Sequence, residues 1–134
     1  MTPFTIYDST GKISGTGHCQ SELLTMQPLK TGESVVTESA NLLTDYYNNG
    51  AKTARPTMAV TLDKTAFAAD GIDKITFTGA PANATITAKG KLPNNMATGP
   101  CGNPDIFSTQ IADTYTVTIS LWPYLDFTTT VTAS

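Results

Sequence analysis

His18-Cys19 is the only adjacent pair of soft metal ligands in the chain. A structural zinc site needs about four ligands, usually two pairs at short spacing. Here the other cysteine, Cys101, lies far along the chain in "GPCGNP", and no second histidine exists. Neighbours on a strand point to opposite faces, so the pair does not make a Cys-His nucleophile either. Asp63, Asp70 and Asp73 gather in "DKTAFAADGIDK", where hard carboxylates around Gly71 resemble the start of a calcium loop. The spacing is not that of an EF-hand and no bidentate glutamate follows, so Asp70-Gly71 reads as a tight turn. No Ser/His/Asp arrangement, phosphate-cradling glycine loop or paired catalytic carboxylates can be assembled. The sequence therefore assigns no catalytic residue, no metal ligand and no cofactor, and predicts a protein that is not an enzyme.

Aromatic side chains remain as carriers of specificity. Trp122 and Tyr124 stand in "LWPYLDF", and Tyr46 and Tyr47 in "TDYYNNG". These four are the candidate interaction residues. Trp122 is the only tryptophan and precedes Pro123, which cannot donate to a ladder and so ends strand pairing. Two readings follow. The ring caps the open end of a core, or it projects as an interface anchor. The need of a small core for buried aromatic area favours the first.

The elements that must position these residues are strands. "TYTVTISL" alternates threonine or serine with Tyr115, Val117, Ile119 and Leu121, a period of two. "MAVTLD", "KITFTG", "ATITAKG", "IFSTQI" and "DFTTTVTAS" repeat that pattern between Gly, Pro, Asn and Asp clusters. Such short strands without a helical period predict an antiparallel sandwich over 57–134. Its inward residues are expected to be Val60, Leu62, Ile75, Phe77, Ile86, Phe107, Ile111, Tyr115, Val117, Ile119, Phe127, Thr129 and Val131. The chain has 25 threonines, and β-branching suits them to the outer face of a sheet.

Residues 1–56 read as a smaller module of two hairpins. "FTIY" alternates, Asp8-Ser9-Thr10-Gly11 turns, and Ile13 begins the return. Asn49-Gly50 marks the second turn. Ser21 caps a candidate helix carrying Leu23, Leu24 and Met26, which Pro28 ends within two turns. "ESVVTES" is a short strand. Arg55-Pro56 closes the module, because the residue before proline is pushed into extended geometry.

Composition narrows the partners. The formal net charge is −3 and only 14% of residues are charged, against about 25% in ordinary domains. Sequence-independent nucleic-acid binding needs cations aligned on phosphates, and the eight here are scattered. No apolar run approaches the ~18 residues of a membrane span. "MTPFTIYD" has no basic segment leading into an apolar one, so no signal peptide is read and folding in a cytoplasm is expected. Cys19 and Cys101 are then expected as buried or half-buried thiols, with a disulfide between the halves as the alternative. Asn83-Ala84-Thr85 matches a glycosylation sequon, which matters only on a eukaryotic secretory path.

The N-terminal string, with Asp8, Gly11, Ile13, Gln27, Gly32-Glu33, Tyr46-Tyr47, Gly50 and Arg55-Pro56, resembles a module of tailed-bacteriophage tail and tail-fibre proteins. The half from Met58 resembles bacterial and phage immunoglobulin-like domains, with "LDKTAFAADGIDKITFTGAP" as their first hairpin and "DTYTVTISLWPYLDF" as their last. The resemblance implies an all-β chain: a small β-hairpin attachment module, 1–56, then an immunoglobulin-like sandwich, 57–134. It implies a virion structural protein of the tail, baseplate or fibre attachment, made in the host cytoplasm. Its partners would be other virion proteins, further copies of itself and, as a candidate, a host-surface receptor. A carbohydrate- or receptor-binding module and a capsid decoration protein are the alternatives.

Overall fold

The computed structural model describes residues 1–134, which divide into two compact units, Met1–Arg55 and Pro56–Ser134. The chain is all-β apart from one short 3-10 segment, Ser21–Met26.

In the N-terminal unit, β1 (Thr2–Tyr7) pairs with β2 (Ile13–Cys19) and β3 (Ser34–Val36), giving a three-stranded sheet in the order β2-β1-β3. The β1–β2 turn is held by Asp8, whose carboxylate accepts the N–H groups of Thr10 and Lys12. Gly11 takes φ +83° there, as the turn residues predict. A second hairpin joins β4 (Asp45–Asn48) to β5 (Ala51–Ala54). Asn49 and Gly50 both have positive φ, 52° and 83°, which is the two-residue turn whose twist matches that of the strands.

The interior of this unit is small and partly polar: Thr5, Ile13 and Tyr47 are its buried side chains. The Thr5 hydroxyl donates to the Glu38 carbonyl at 2.8 Å. Ser21 does not cap a helix as expected. Gln20 occupies the cap position without a side-chain bond, and the segment is a single 3-10 stretch. Pro28 leaves too few residues for an α-helical nucleus to propagate. Leu23 and Met26 are consequently exposed, at 42% and 73%.

The C-terminal unit has eight strands: β6 (Thr61–Leu62), β7 (Ala66–Phe67), β8 (Ile75–Thr78), β9 (Thr85–Gly90), β10 (Met96–Pro100), β11 (Asp105–Phe107), β12 (Asp113–Ser120) and β13 (Phe127–Ala133). They form two sheets, β10-β9-β12-β13-β7 and β11-β8-β6. Between the sheets lie Phe67, Ile75, Phe77, Tyr115, Val117, Ile119 and Val131, with Ala80, Ala84, Ala88, Cys101 and Ala133 filling the narrower gaps. Phe67, Phe107 and Tyr115 meet edge to face, with centroids 5.7 and 5.1 Å apart. The Tyr115 hydroxyl, at the start of β12, donates back to the Ile111 carbonyl at 2.8 Å. That is the tyrosine corner of an immunoglobulin-like sandwich.

The sandwich is antiparallel as expected, save for one short parallel pair, β13 with the two-residue β7. One expectation needs correction. Ile111 is not inward but 47% exposed. It sits in the bend before β12, where strand alternation has not begun, and its carbonyl rather than its side chain serves the core.

Candidate interaction surfaces

Strands β12 and β13 deliver the "LWPYLDF" turn. Inward alternation carries through Tyr115, Val117 and Ile119 to Leu121, which packs against the core. The Tyr124 N–H then donates to the Leu121 carbonyl at 2.8 Å, closing a tight turn over Trp122-Pro123. Leu125 N–H donates to the Pro56 carbonyl at 2.8 Å, so the turn lies beside the residue where this unit begins. Trp122 and Tyr124 are both half-buried. The ring of Trp122 is therefore neither the sealed plug of the favoured expectation nor a fully projecting anchor. Trp122→Ala is expected to cost about 1–2 kcal/mol, short of the 3–5 kcal/mol of a fully buried tryptophan. A denaturant titration checks this, and a loss above that range would restore the plug.

Tyr46 and Tyr47 separate. Tyr46, half-buried, is the accessible one. Tyr47 is 2% exposed and belongs to the interior. Its ring stacks on Tyr7 with centroids 4.4 Å apart and planes 12° from parallel. Its hydroxyl donates to Glu38 Oε1 at 2.9 Å, while Lys52 Nζ stands 3.9 Å from the other carboxylate oxygen. Burial, and then the Glu38 carboxylate, push the Tyr47 phenol up to about 12. It stays a neutral donor locking strand β4 to the segment after β3. The sequence carried no signal that separates the two, because Asp45 shares a face with Tyr47 as Asn48 does with Tyr46.

The groups that could have done chemistry are apart or occupied. His18 is exposed and Cys19 half-buried on β2. Both cysteines are free thiols, and burial pushes the Cys101 thiol up, away from its reactive form. No three His, Cys, Asp or Glu side chains converge as a metal site would require. Asp70 accepts the N–H groups of Ile72 and Asp73, and Asp73 pairs with Lys64 and accepts from Ala68 N–H. Asp63 accepts the Thr76 N–H. These carboxylates knit a loop.

Five carboxyls share a consequence. The Thr10 hydroxyl lowers Asp8, the Ser14 hydroxyl lowers Glu33, and the Asp73 N–H lowers Asp70. Lys64 lowers Asp73, and the Leu92 N–H lowers Asp113. A folded pKa below the unfolded one adds stability above the ordinary carboxyl range and loses it as pH falls through the folded value. The melting temperature should be level above about pH 5 and fall progressively below about pH 4. A melting temperature that rises on acidification would contradict these bonds.

Threonine-rich outer faces were legible in the sequence, but their alignment into rows across the five-stranded sheet was not. Cross-strand register lines Thr98, Thr87, Thr118 and Thr128 in one row, and Met96, Lys89, Thr116 and Thr130 in the next. Thr87 and Thr98 join hydroxyls at 2.9 Å. The face bears one ammonium and no carboxylate, within a chain of net charge −3. In the N-terminal unit the exposed apolar groups beyond Met1 are Leu23, Met26 and Leu29, and also Leu42 and Leu43, which line an open depression with Thr16 and Asp45. No helix is long and apolar enough to cross a membrane.

No protein-family model matches the chain, and no curated protein matches it. Among solved structures it is similar to a glycosyl hydrolase family 2 member from Bacteroides cellulosilyticus, at 14% identity and a TM-score of 0.36. The match covers 98% of this chain and 21% of that one, so the chain spans about a fifth of the enzyme's length. Likeness at that level carries no argument about activity.

Proposed function

We propose that the chain is a structural component of a bacteriophage virion, a tail, baseplate or fibre-attachment subunit that acts through protein–protein contacts and catalyses nothing. The observation that carries the reading is the imbalance of the N-terminal unit. Its buried side chains are Thr5, Ile13 and Tyr47, while Leu23, Met26, Leu29, Leu42 and Leu43 are exposed. A unit of this size is marginal alone, and a neighbour would cover apolar side chains that it leaves in solvent. The resemblance of Asp8, Gly11, Gly32-Glu33, Tyr46-Tyr47 and Arg55-Pro56 to tail-protein modules supplies the kind of neighbour. The partners would be other virion proteins and further copies of the chain.

Proteomics of density-purified particles from a lysate in which the chain is made tests the proposal. The chain should band with the particles, and gold-labelled antibody should place it on the tail. Its absence from the particles would overturn the reading, and label over the head would replace it with capsid decoration. The half-buried pair Trp122 and Tyr124 favours one second reading, a receptor- or carbohydrate-binding module. In that case Trp122→Ala would leave particle incorporation intact and abolish adsorption to cells.

A further inference from the structure

The edges of the C-terminal unit are unequal. Strands β7 and β6 have two residues each and β11 has three, too short to template another chain. Strand β10, Met96–Pro100, is a five-residue edge, and none of its side chains is charged. Lysines, bulges and inward charges are the devices that blunt an edge, and β10 has only its terminal Pro100.

The hydrogen bonds show which backbone groups are available. Cys101 N–H donates to Ala84 O at 2.8 Å, and Asn95 O accepts from Gly90 N–H at 2.7 Å. Odd-numbered residues thus bond toward β9, and by strand alternation Met96, Thr98 and Pro100 turn their backbone groups outward. Pro100 has no N–H to offer. Met96 and Thr98 each present a donor and an acceptor.

Exposed apolar surface and a gap collect at the same edge. Met96 is 61% exposed, and Ile106 on the facing edge strand β11 is 54% exposed. Between the two strands opens a slot of about 110 Å³ lined mainly by Ile86, Ala88, Ala97, Phe107 and Val117, with Asp105 of β11 its one charged residue. A strand laid beside β10 would cover its mouth.

We propose that β10 pairs antiparallel with β10 of a second copy, joining two five-stranded sheets into one. The occupant follows from self-complementarity. With Ala97 opposite Ala97 of the second copy, Met96 faces Thr98 of that copy, and each pair exchanges both backbone bonds. All four outward groups of each copy at Met96 and Thr98 are then used, and none of the bonds requires Pro100. Small residues meet on the two-fold axis. Strand β10 itself carries no charge, so two chains of net charge −3 can pair along it without like charges opposed in the strand pair. The inference rests on the assembly role proposed above for its purpose, but it concerns a surface of the other unit.

Sedimentation of the full chain over a concentration series tests it. The wild type should show a monomer–dimer equilibrium. Met96→Lys with Thr98→Lys should weaken it at least about tenfold, with the circular dichroism melt unchanged. Leu42→Ser with Leu43→Ser should leave it as it is. Ala97→Cys in a Cys19→Ser background should form an intermolecular disulfide on oxidation, since directly opposed residues of a non-hydrogen-bonded pair lie about 4.5 Å apart at Cα. A wild type monomeric at every concentration overturns the pairing, as does a dimer that survives the two lysines without an Ala97→Cys cross-link. Either failure leaves the virion reading to the particle experiment.

Discussion

Gly11→Ala is expected to unfold the N-terminal unit, and the reason is geometric. Gly11 holds φ +83°, and a Cβ built there would sit 1.9 Å from the Tyr47 carbonyl oxygen. The backbone cannot retreat, because Tyr47 N–H donates to the Gly11 carbonyl at 2.8 Å and the Asp8 carboxylate pins the turn on the other side. Left-handed geometry costs a residue with a side chain about 1–3 kcal/mol, and the overlap adds about 1–3 kcal/mol more. A unit the size of Met1–Arg55 has roughly 3–8 kcal/mol to lose. Hydrogen exchange followed by mass spectrometry should show protection lost across 1–55 in the mutant. Asn49→Gly, at a position already in a two-residue turn, serves as the control with little effect. Native protection in Gly11→Ala would mean that the β1–β2 turn and strand β4 are not held as described.

Turn chemistry is where sequence reasoning reached furthest, because it is local. Asp8 through Gly11 and Asn49-Gly50 need only their own side chains and φ values, and both hairpins follow. The alternation of 114–121 was equally legible, because burial of every second residue is written in residue type. Strands β7 and β10 were not read. Ala66-Phe67 is too short to show a period, and "MATGP" has Gly and Pro where a strand would have β-branched residues. Pairing with β13 and β9 makes them strands, a tertiary effect that no local window carries.

The candidate surface was harder for the same reason. Tyr46 and Tyr47 are identical in the sequence, and only the strand β4 register sends one inward, against Tyr7 and Glu38. Trp122 depended on how Pro123 redirects the chain after Leu121. Counting along the strand stops being valid where the strand stops. The imbalance of exposed leucines is a property of what 1–55 can bury, and it becomes visible only once Leu42 and Leu43 are placed in a loop.

Phe77→Ala should be the most damaging single change in the C-terminal unit. Phe77 is the largest of the fully buried side chains. It sits at the centre of the small sheet, with Leu62 of β6 opposite on one side and Asp105 of β11 on the other. Removing the ring withdraws contacts from both sheets, and the neighbouring strands are bonded in register and cannot collapse into the space. The expected loss is about 3–5 kcal/mol, against roughly 4–12 kcal/mol available to a unit of this size. At about 4–8 °C per kcal/mol, the melting temperature of this unit should fall by tens of degrees. Thr78→Ala, one residue on and facing solvent, should change it by less than about 0.5 kcal/mol. A Phe77→Ala loss below about 1 kcal/mol would mean that the interior relaxes around the gap. The two sheets would then be less rigidly paired than their register implies.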